Sequence, residues 1–289
     1  MRVFRGLSED GKTHSIRLFE GYPDIPHSLN DQRRTDNDLR IMVIDTETTG
    51  LNFSDDDEII DLAYVMIRTT RSGDILSIDK QYSCLSEPQK KPVTPDITRL
   101  TGITPEMVKG HQIDWECVRK DLEQVDYILA HNARFDRKIL KRYLPLFGEK
   151  IWLCSMTQPK WREWGHFSSK LECLSRDHGF FYYGHRALID CHAIVKLLVE
   201  GNFEGQPYLK YCLDDIAKEY VTILAVGAKY ESKGFLKQLG FKWNGQNWYR
   251  NILKDSTDHS NILESLRNVH SDNSLTPTSI NISRCLRFE

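Results

Sequence analysis

The 289-residue sequence predicts an α/β protein, a mixed sheet with helices on both faces, followed by a small C-terminal α+β module. Three observations predict it. The unbroken apolar run Ile41-Met42-Val43-Ile44 suits a strand covered on both faces rather than one with a wet side. Two more strand-like stretches follow it around a turn, after which helical and strand-like periods alternate, a pattern that calls for helices packed on both sides of one sheet. Past residue 222, a short apolar strand, a short helix and an aromatic hairpin form a unit of their own.

Taken in order, residues 1–38 mix Gly, Pro, Ser and both charge signs without a clear period, and form an N-terminal extension in which short pieces such as His14 to Phe19 suit a strand. Residues 39–46 are the central strand. Asp45 and Glu47 stand at its C-terminal end, two residues apart, so an extended backbone points both carboxylates to the same face. Thr48, Thr49 and Gly50 end the strand. Two carboxylates side by side at the edge of a core repel each other and lose hydration unless a cation offsets the cost, although the pair taken alone also fits the solvated end of a strand. The acidic run from Asp55 to Glu58 lacks the Gly and the ligand spacing of a calcium loop, and reads as a solvated turn.

Ile59 to Arg68 and Ile75 to Leu85 form a hairpin around Ser72-Gly73-Asp74. Pro88, Pro92 and Pro95 then break the chain, and Asp96 to Leu100 and Thr104 to Val108 are short helical turns, the second opened by Thr104-Pro105-Glu106. Trp115, Val118 and Leu122 recur at helical spacing from Trp115 to Gln124, and Asp126 to Ala130 is a buried strand ending at His131-Asn132. Phe135, Ile139, Leu140, Tyr143 and Leu144 define an amphipathic helix from Ala133 that Pro145 stops, with Asp136 in its first turn. A strand at Ile151 to Met156, a helix from Lys170 to His178 closed by Gly179, and a last helix from Ala187 to Val199 complete the domain.

Asp45, Glu47, Asp136, His185 and Asp190 therefore all fall at element termini. Singly, Asp136 and Asp190 fit first-turn acids favoured by the helix dipole, and His185 a loop histidine. Together they form a pattern. IDTETTGL (44–51), HNARFD (131–136) and HRALID (185–190) resemble the three motifs of the DEDDh, or DnaQ-like, 3′-5′ exonucleases, a family that includes the proofreading subunit of bacterial replicative polymerase. The connecting TPDITRLTGITPEMV (94–108) is also similar to that family's intermotif segment, and the resemblance covers roughly residues 39–200.

The resemblance implies a ribonuclease H-like fold, with Asp45, Glu47, Asp136 and Asp190 as metal-binding acids and His185 as the catalytic histidine. Its chemistry would be hydrolysis of single-stranded or frayed 3′ ends, DNA favoured, to nucleoside 5′-monophosphates. Two Mg²⁺ or Mn²⁺ ions, in such sites about 3.5–4 Å apart, suit hard carboxylate ligands. Asp45 is expected to serve both ions, Glu47 and Asp190 the nucleophile-side ion, and Asp136 the other through water, with His185 taking the proton from the attacking water. Thr48, Thr49, Gly50 and Leu51 are expected to meet the terminal nucleotide, as is Asn132, whereas His131 reads as a satisfied core histidine. Two other readings are a nucleic-acid-binding or polymerase-associated proofreading subunit with secondary exonuclease activity, and an RNA-processing exoribonuclease.

Residues 201–221 read as a connecting segment with a helix from Leu213 to Tyr220, and residues 222–251 as a small module. In that module Phe241-Lys242-Trp243 and Asn247-Trp248-Tyr249 flank Asn244-Gly245. Aromatics beside Lys233, Lys237, Lys242 and Arg250 are what a single-strand stacking platform uses, and equally what so small a unit needs for a core. The stretch 252–289, rich in Ser, Asn, Asp and Thr, is expected to be a flexible tail.

Composition narrows the class further. A net charge of -2 argues against a protein that coats nucleic acid through bulk charge, yet residues 134–170 hold nine Lys or Arg against three acids. Seven scattered cysteines with no C-x-x-C spacing suggest neither a disulfide framework nor a zinc site, and fit a cytoplasmic setting. No apolar run approaches the roughly 18 residues that span a bilayer, so no membrane partner is expected. Expected partners are nucleic-acid 3′ ends and a polymerase or other repair protein.

Overall fold

The computed structural model describes residues 13–22, 38–50, 56–269, 276–282 and 287–288. It divides into two compact units, Met1–Asp215 with Phe288–Glu289, and Ile216–Arg287. In the first unit a five-stranded sheet has Leu39–Thr48 at its centre. Ile59–Thr69 pairs antiparallel on one side of it, with Ile75–Leu85 beyond. On the other side Tyr127–Ala130 pairs parallel, with Ile151–Cys154 parallel beyond it. The order and directions make the mixed sheet that the sequence predicted.

The central strand is as dry as its composition requires. Ile41, Met42, Val43 and Ile44 are each 0% exposed, because strands flank them on both sides and helices cover both faces. On one face Met42 and Ile44 pack with Val118 and Leu122 of the Trp115–Glu123 helix and with Ile139 and Leu140 of the Ala133–Tyr143 helix. Helix Ala187–Glu200 packs against the central strand and its antiparallel neighbour. Helix starts follow the sequence signals: the Thr94 hydroxyl accepts from Ile97 N–H ahead of Pro95–Thr101, and Thr104 accepts from Met107 N–H ahead of Pro105–Val108. The hairpin turn needs its glycine. Gly73 sits at φ 88°, and a Cβ there would lie 2.6 Å from the backbone nitrogen of Lys210.

Part of the N-terminal extension belongs to this unit, since Arg17–Leu18 pairs in parallel with Phe180–Phe181. The connecting segment differs from expectation. Asn202–Phe203 and Gln206–Pro207 form a small hairpin, the helix is Tyr208–Asp214, and the chain is already extended at Tyr220. The alternating burial of Tyr220–Val226 explains the correction, because a period of two on a half-covered sheet overrides any helical start.

The second unit corrects the expected tail as well. Residues beyond 252 supply a helix, Thr257–Val269, and a strand, Thr276–Ile282, that pairs antiparallel along the whole of Tyr220–Val226. With Trp248–Leu253 and Lys242–Trp243 they make a four-stranded antiparallel sheet. The module therefore extends well past residue 251. Among the described residues no helix is long and apolar enough to cross a membrane.

Candidate active site

The chemistry-bearing residues gather where the central strand ends. The register between that strand and Ile59–Thr69 shifts between Glu47 and Thr48, and this irregularity lets the chain leave the sheet just after Glu47. Asp45 and Glu47, two residues apart, do share a face. Carboxylate oxygens of Asp45, Glu47 and Asp190 all lie within 4.8 Å of one another, Asp190 arriving from the first turn of helix Ala187–Glu200. Asp136, 2% exposed, stands behind them in the first turn of Ala133–Tyr143, and its Oδ1 accepts a 2.8 Å hydrogen bond from the Thr46 hydroxyl.

Asp45, Glu47 and Asp190, but not Asp136, line a cleft of about 590 Å³. Its floor holds Asp45, Glu47, Asp190 and His185; Leu100, Phe135 and Met156 give it apolar walls, and Lys170 and Arg176 bring positive charge. His185 adopts φ 65° and Asn132 φ 82°, left-handed backbone that turns the chain sharply into the helices that follow. Strain held at two residues lining one cleft is characteristic of functional loops.

Burial and mutual repulsion dominate the electrostatics. Burial, and next the charge of Asp190, hold the Asp45 carboxyl well above the usual carboxylate range. The same two causes push Glu47 up to about 8. Burial raises Asp136 to about 7 against the Thr46 hydrogen bond, and raises Asp190 to about 6 against hydrogen bonds from the Tyr182 hydroxyl and the Arg186 backbone. Each acid resists ionising beside the others. A bound cation relieves that conflict, and an all-oxygen carboxylate set suits a hard divalent ion, so the residues present fit Mg²⁺ or Mn²⁺.

The expected substrate contacts divide. Asn132 lines the cleft, whereas Thr48, Thr49 and Gly50 are not among its walls. The Thr48 hydroxyl donates to the Gly50 carbonyl, Thr49 Oγ1 accepts from Glu58 N–H, and Thr49 N–H donates to the Glu58 carbonyl, so this turn uses its polar groups to hold itself. Leu51 and Asp55 lie outside the described residues. His131 lines the cleft, yet both ring nitrogens are taken, by the Ser155 hydroxyl at 2.9 Å and the Ser169 carbonyl at 2.8 Å, and burial lowers its pKa to about 4. It is a neutral, satisfied histidine.

Three supporting residues escaped the sequence reading. Tyr182 donates its hydroxyl to Asp190 Oδ1 at 3.1 Å, and Arg186 N–H donates to Asp190 Oδ2 at 3.1 Å. Asp61, 1% exposed, pairs across the sheet with Glu47 and accepts from Arg186 Nε and Ala187 N–H, both at 3.3 Å. It ties the start of the helix that carries Asp190 to the strand beside Glu47. A lone acid inside the apolar run IIDLAYV was the available signal, since an unpaired buried carboxylate is costly.

A mixed five-stranded sheet with a half-buried carboxylate cluster at the end of its central strand, in a cleft with cationic and apolar walls, defines a nuclease-type α/β domain. The exonuclease family model, RNase_T, matches residues 42–198, more than half of the chain, and the chain belongs to that family. Over 114 residues it is 40% identical to the PolC-type DNA polymerase III of Listeria monocytogenes, a match covering 39% of this chain and 7% of that protein. Over 123 residues it is 32% identical to the 3′-5′ exonuclease DinG of Bacillus subtilis, covering 42% of this chain and 12% of that protein. The chain thus spans a small fraction of these relatives' length. Among solved structures it is similar to Exonuclease X in complex with 5′ overhanging duplex DNA, at 24% identity over 59% of this chain and 99% of that one, with a TM-score of 0.42. It is also similar to E. coli Exonuclease I in complex with an oligonucleotide, at 13% identity over 82% and 72% of the two chains, with a TM-score of 0.49.

Proposed function

We propose that the chain is a metal-dependent 3′-5′ exonuclease that hydrolyses phosphodiester bonds at single-stranded or frayed 3′ ends, DNA in preference, and releases nucleoside 5′-monophosphates. The observation that carries this reading is the meeting of Asp45, Glu47 and Asp190 within 4.8 Å at the floor of the cleft. Family membership supports the reaction class, and the 3′-5′ exonuclease named among the relatives supports the direction.

Asp45, Glu47 and Asp190 would hold the ions, with Asp136 behind them. Mg²⁺ or Mn²⁺ bound there supplies positive charge for the phosphate and for the attacking and leaving oxygens. His185, on the cleft floor, accepts the proton of the attacking water. The Tyr182 hydroxyl and the Arg186 N–H fix the Asp190 carboxylate, and the Thr46 hydroxyl fixes Asp136, so the acids hold one arrangement before substrate arrives. Leu100, Phe135 and Met156 offer apolar surface to the terminal base, and Lys170 and Arg176 offer charge to its phosphates.

A polymerase-associated proofreading role is the second reading, favoured by the 40% identity to a PolC-type polymerase. Purified chain alone, given deoxyribo- and ribo-oligonucleotides with Mg²⁺, separates these readings. Nucleoside 5′-monophosphates released faster from the deoxy strand are expected. Release only on adding a polymerase would favour the proofreading role, faster release from the ribo strand would favour RNA processing, and no release under either condition would refute the nuclease reading.

A further inference from the structure

Helix Ala187–Glu200 brings in Asp190, and the stretch just before it brings in Tyr182, whose hydroxyl holds Asp190 Oδ1 at 3.1 Å. That stretch has little structure of its own. Its regular part is the two-residue strand Phe180–Phe181, and among the described residues the one strand paired with it is Arg17–Leu18. Arg17 N–H donates to the Gly179 carbonyl at 3.0 Å, and Phe19 N–H to the Phe181 carbonyl at 2.8 Å. The N-terminal segment thus grips the peptide bonds on both sides of Phe180, and the second of them is the bond that joins Phe181 to Tyr182.

The same segment is fastened at its other end to the helix. At Gly21, φ 96°, the chain passes so close to His192 that a Cβ would lie 2.6 Å from the ring Nδ1. The next residue, Tyr22, donates its N–H to that Nδ1 at 3.1 Å. Accepting there leaves the proton of the neutral ring on Nε2, which donates to Gln81 Oε1 at 3.0 Å on the strand Ile75–Leu85 at the edge of the sheet. Between the two fastenings the Phe19 and Phe180 rings meet edge to face, centroids 5.7 Å apart. The Lys196 ammonium, from the helix that carries Asp190, lies 5.2 Å from the Phe19 ring and 5.3 Å from the Phe180 ring.

The contacts close into a ring. Residues 17–22 tie 179–181 to His192, and the Tyr182–Asp190 hydrogen bond spans the same two elements. We propose that residues 17–22 are positioning residues for the metal site. By holding the strand before Tyr182 against the helix that carries Asp190, they set the tyrosine hydroxyl on the carboxylate and keep Asp190 turned toward Asp45 and Glu47. They precede the stretch 42–198 that the family model matches, so this protein builds part of its site from outside the shared domain. The proposal rests on the metal-dependent reading of the acids given above, and its test keeps the two apart.

Gly21→Ala adds the methyl that the His192 ring leaves no room for, and loosens the far fastening without altering any group in the cleft. In full-length protein, Mn²⁺ affinity read by electron paramagnetic resonance should fall roughly tenfold, and kcat on a short oligonucleotide with Mg²⁺ by a similar factor at little changed KM. Phe19→Ala should do the same through the near fastening, and Phe19→Tyr, which keeps the ring, should restore both. Tyr182→Phe removes the hydroxyl that the segment positions, so adding Gly21→Ala to Tyr182→Phe should cost no further Mn²⁺ affinity. A merely stabilising segment would lower the melting temperature and leave the Mn²⁺ affinity of the folded protein unchanged. Wild-type Mn²⁺ affinity in both Gly21→Ala and Phe19→Ala would overturn the proposal, as would losses that add in the double variant. If Gly21→Ala does not melt cooperatively, Phe19→Ala, alone and combined with Tyr182→Phe, decides in the same way. A wild type that binds Mn²⁺ and releases no nucleotide counts against the nuclease reading alone, and the Mn²⁺ comparison still decides the role of the segment.

Discussion

Replacing Asp190 by Asn should make the metal-free protein more stable at neutral and alkaline pH. Asn keeps an oxygen for the Arg186 N–H, turns its NH2 toward the Tyr182 oxygen, which can accept once its hydroxyl rotates, and removes the charge that stands first among the neighbours raising both Asp45 and Glu47. Glu47 is pushed from 4.5 to about 8, which at ~1.4 kcal/mol per pH unit is an ionisation cost of ~5 kcal/mol. Burial accounts for the largest share, so removing one neighbouring charge should return ~1–2 kcal/mol, or roughly 2–8 °C in melting midpoint for a domain of this size. The sign follows from proton uptake. An unfolded chain releases the Glu47 proton near its ordinary 4.5 and the folded chain holds it until about pH 8, so the stability it lends is present at low pH and lost as pH rises through that window.

Circular-dichroism melts in EDTA at about pH 5 and about pH 8 should therefore show the wild type falling and Asp190→Asn falling less. Millimolar Mn²⁺ should restore the wild type and help the variant little. A wild-type midpoint that is flat with pH, or a variant that melts lower with an unchanged slope, would refute the electrostatic account of the cluster.

The remaining expectations concern the residues around the acids. His185→Asn suits the left-handed backbone at φ 65° while removing the base, and should cut turnover by roughly 10²–10⁴-fold with metal stabilisation of the fold retained. Near-normal turnover with an unaltered acidic limb of the pH-rate profile would leave His185 a structural residue. Asp61→Asn keeps the acceptor for Ala187 N–H but weakens the pairing with Arg186, and should lower kcat about tenfold with KM little changed, measured on a short oligonucleotide. Gly50→Ala would set a Cβ 2.3 Å from Asp57 Oδ1, which also pairs with Lys91 at 2.7 Å, and should cost about 1–3 kcal/mol in a denaturant titration.

The central strand was legible because four consecutive apolar residues admit few environments, and its neighbours because their turns carry Gly, Pro and capping Thr at the positions those turns demand. The meeting of Asp45, Glu47 and Asp190 was legible through strand alternation and the first-turn position of Asp190, together with a familiar motif spacing. Other features depend on partners distant in sequence. Thr276–Ile282 reads TPTSINI, with little apolar signal, and is a strand because it takes the sheet edge beside Tyr220–Val226. Thr48 and Thr49 sit where a substrate contact was expected, but their turn spends its hydroxyls and the Thr49 N–H on Gly50 and Glu58. Asp61 carried a visible signal, an acid in a dry strand, whose partner Arg186 lies 125 residues away.

The most direct test of the central claim is digestion of a 5′-labelled single-stranded oligonucleotide by wild-type protein and by Asp45→Asn, each with Mg²⁺ and with EDTA. Wild type with Mg²⁺ should give a ladder shortening one nucleotide at a time from the 3′ end, and the other three reactions should leave the substrate intact. Cleavage that persists in EDTA, or an Asp45→Asn protein that digests at the wild-type rate, would contradict it.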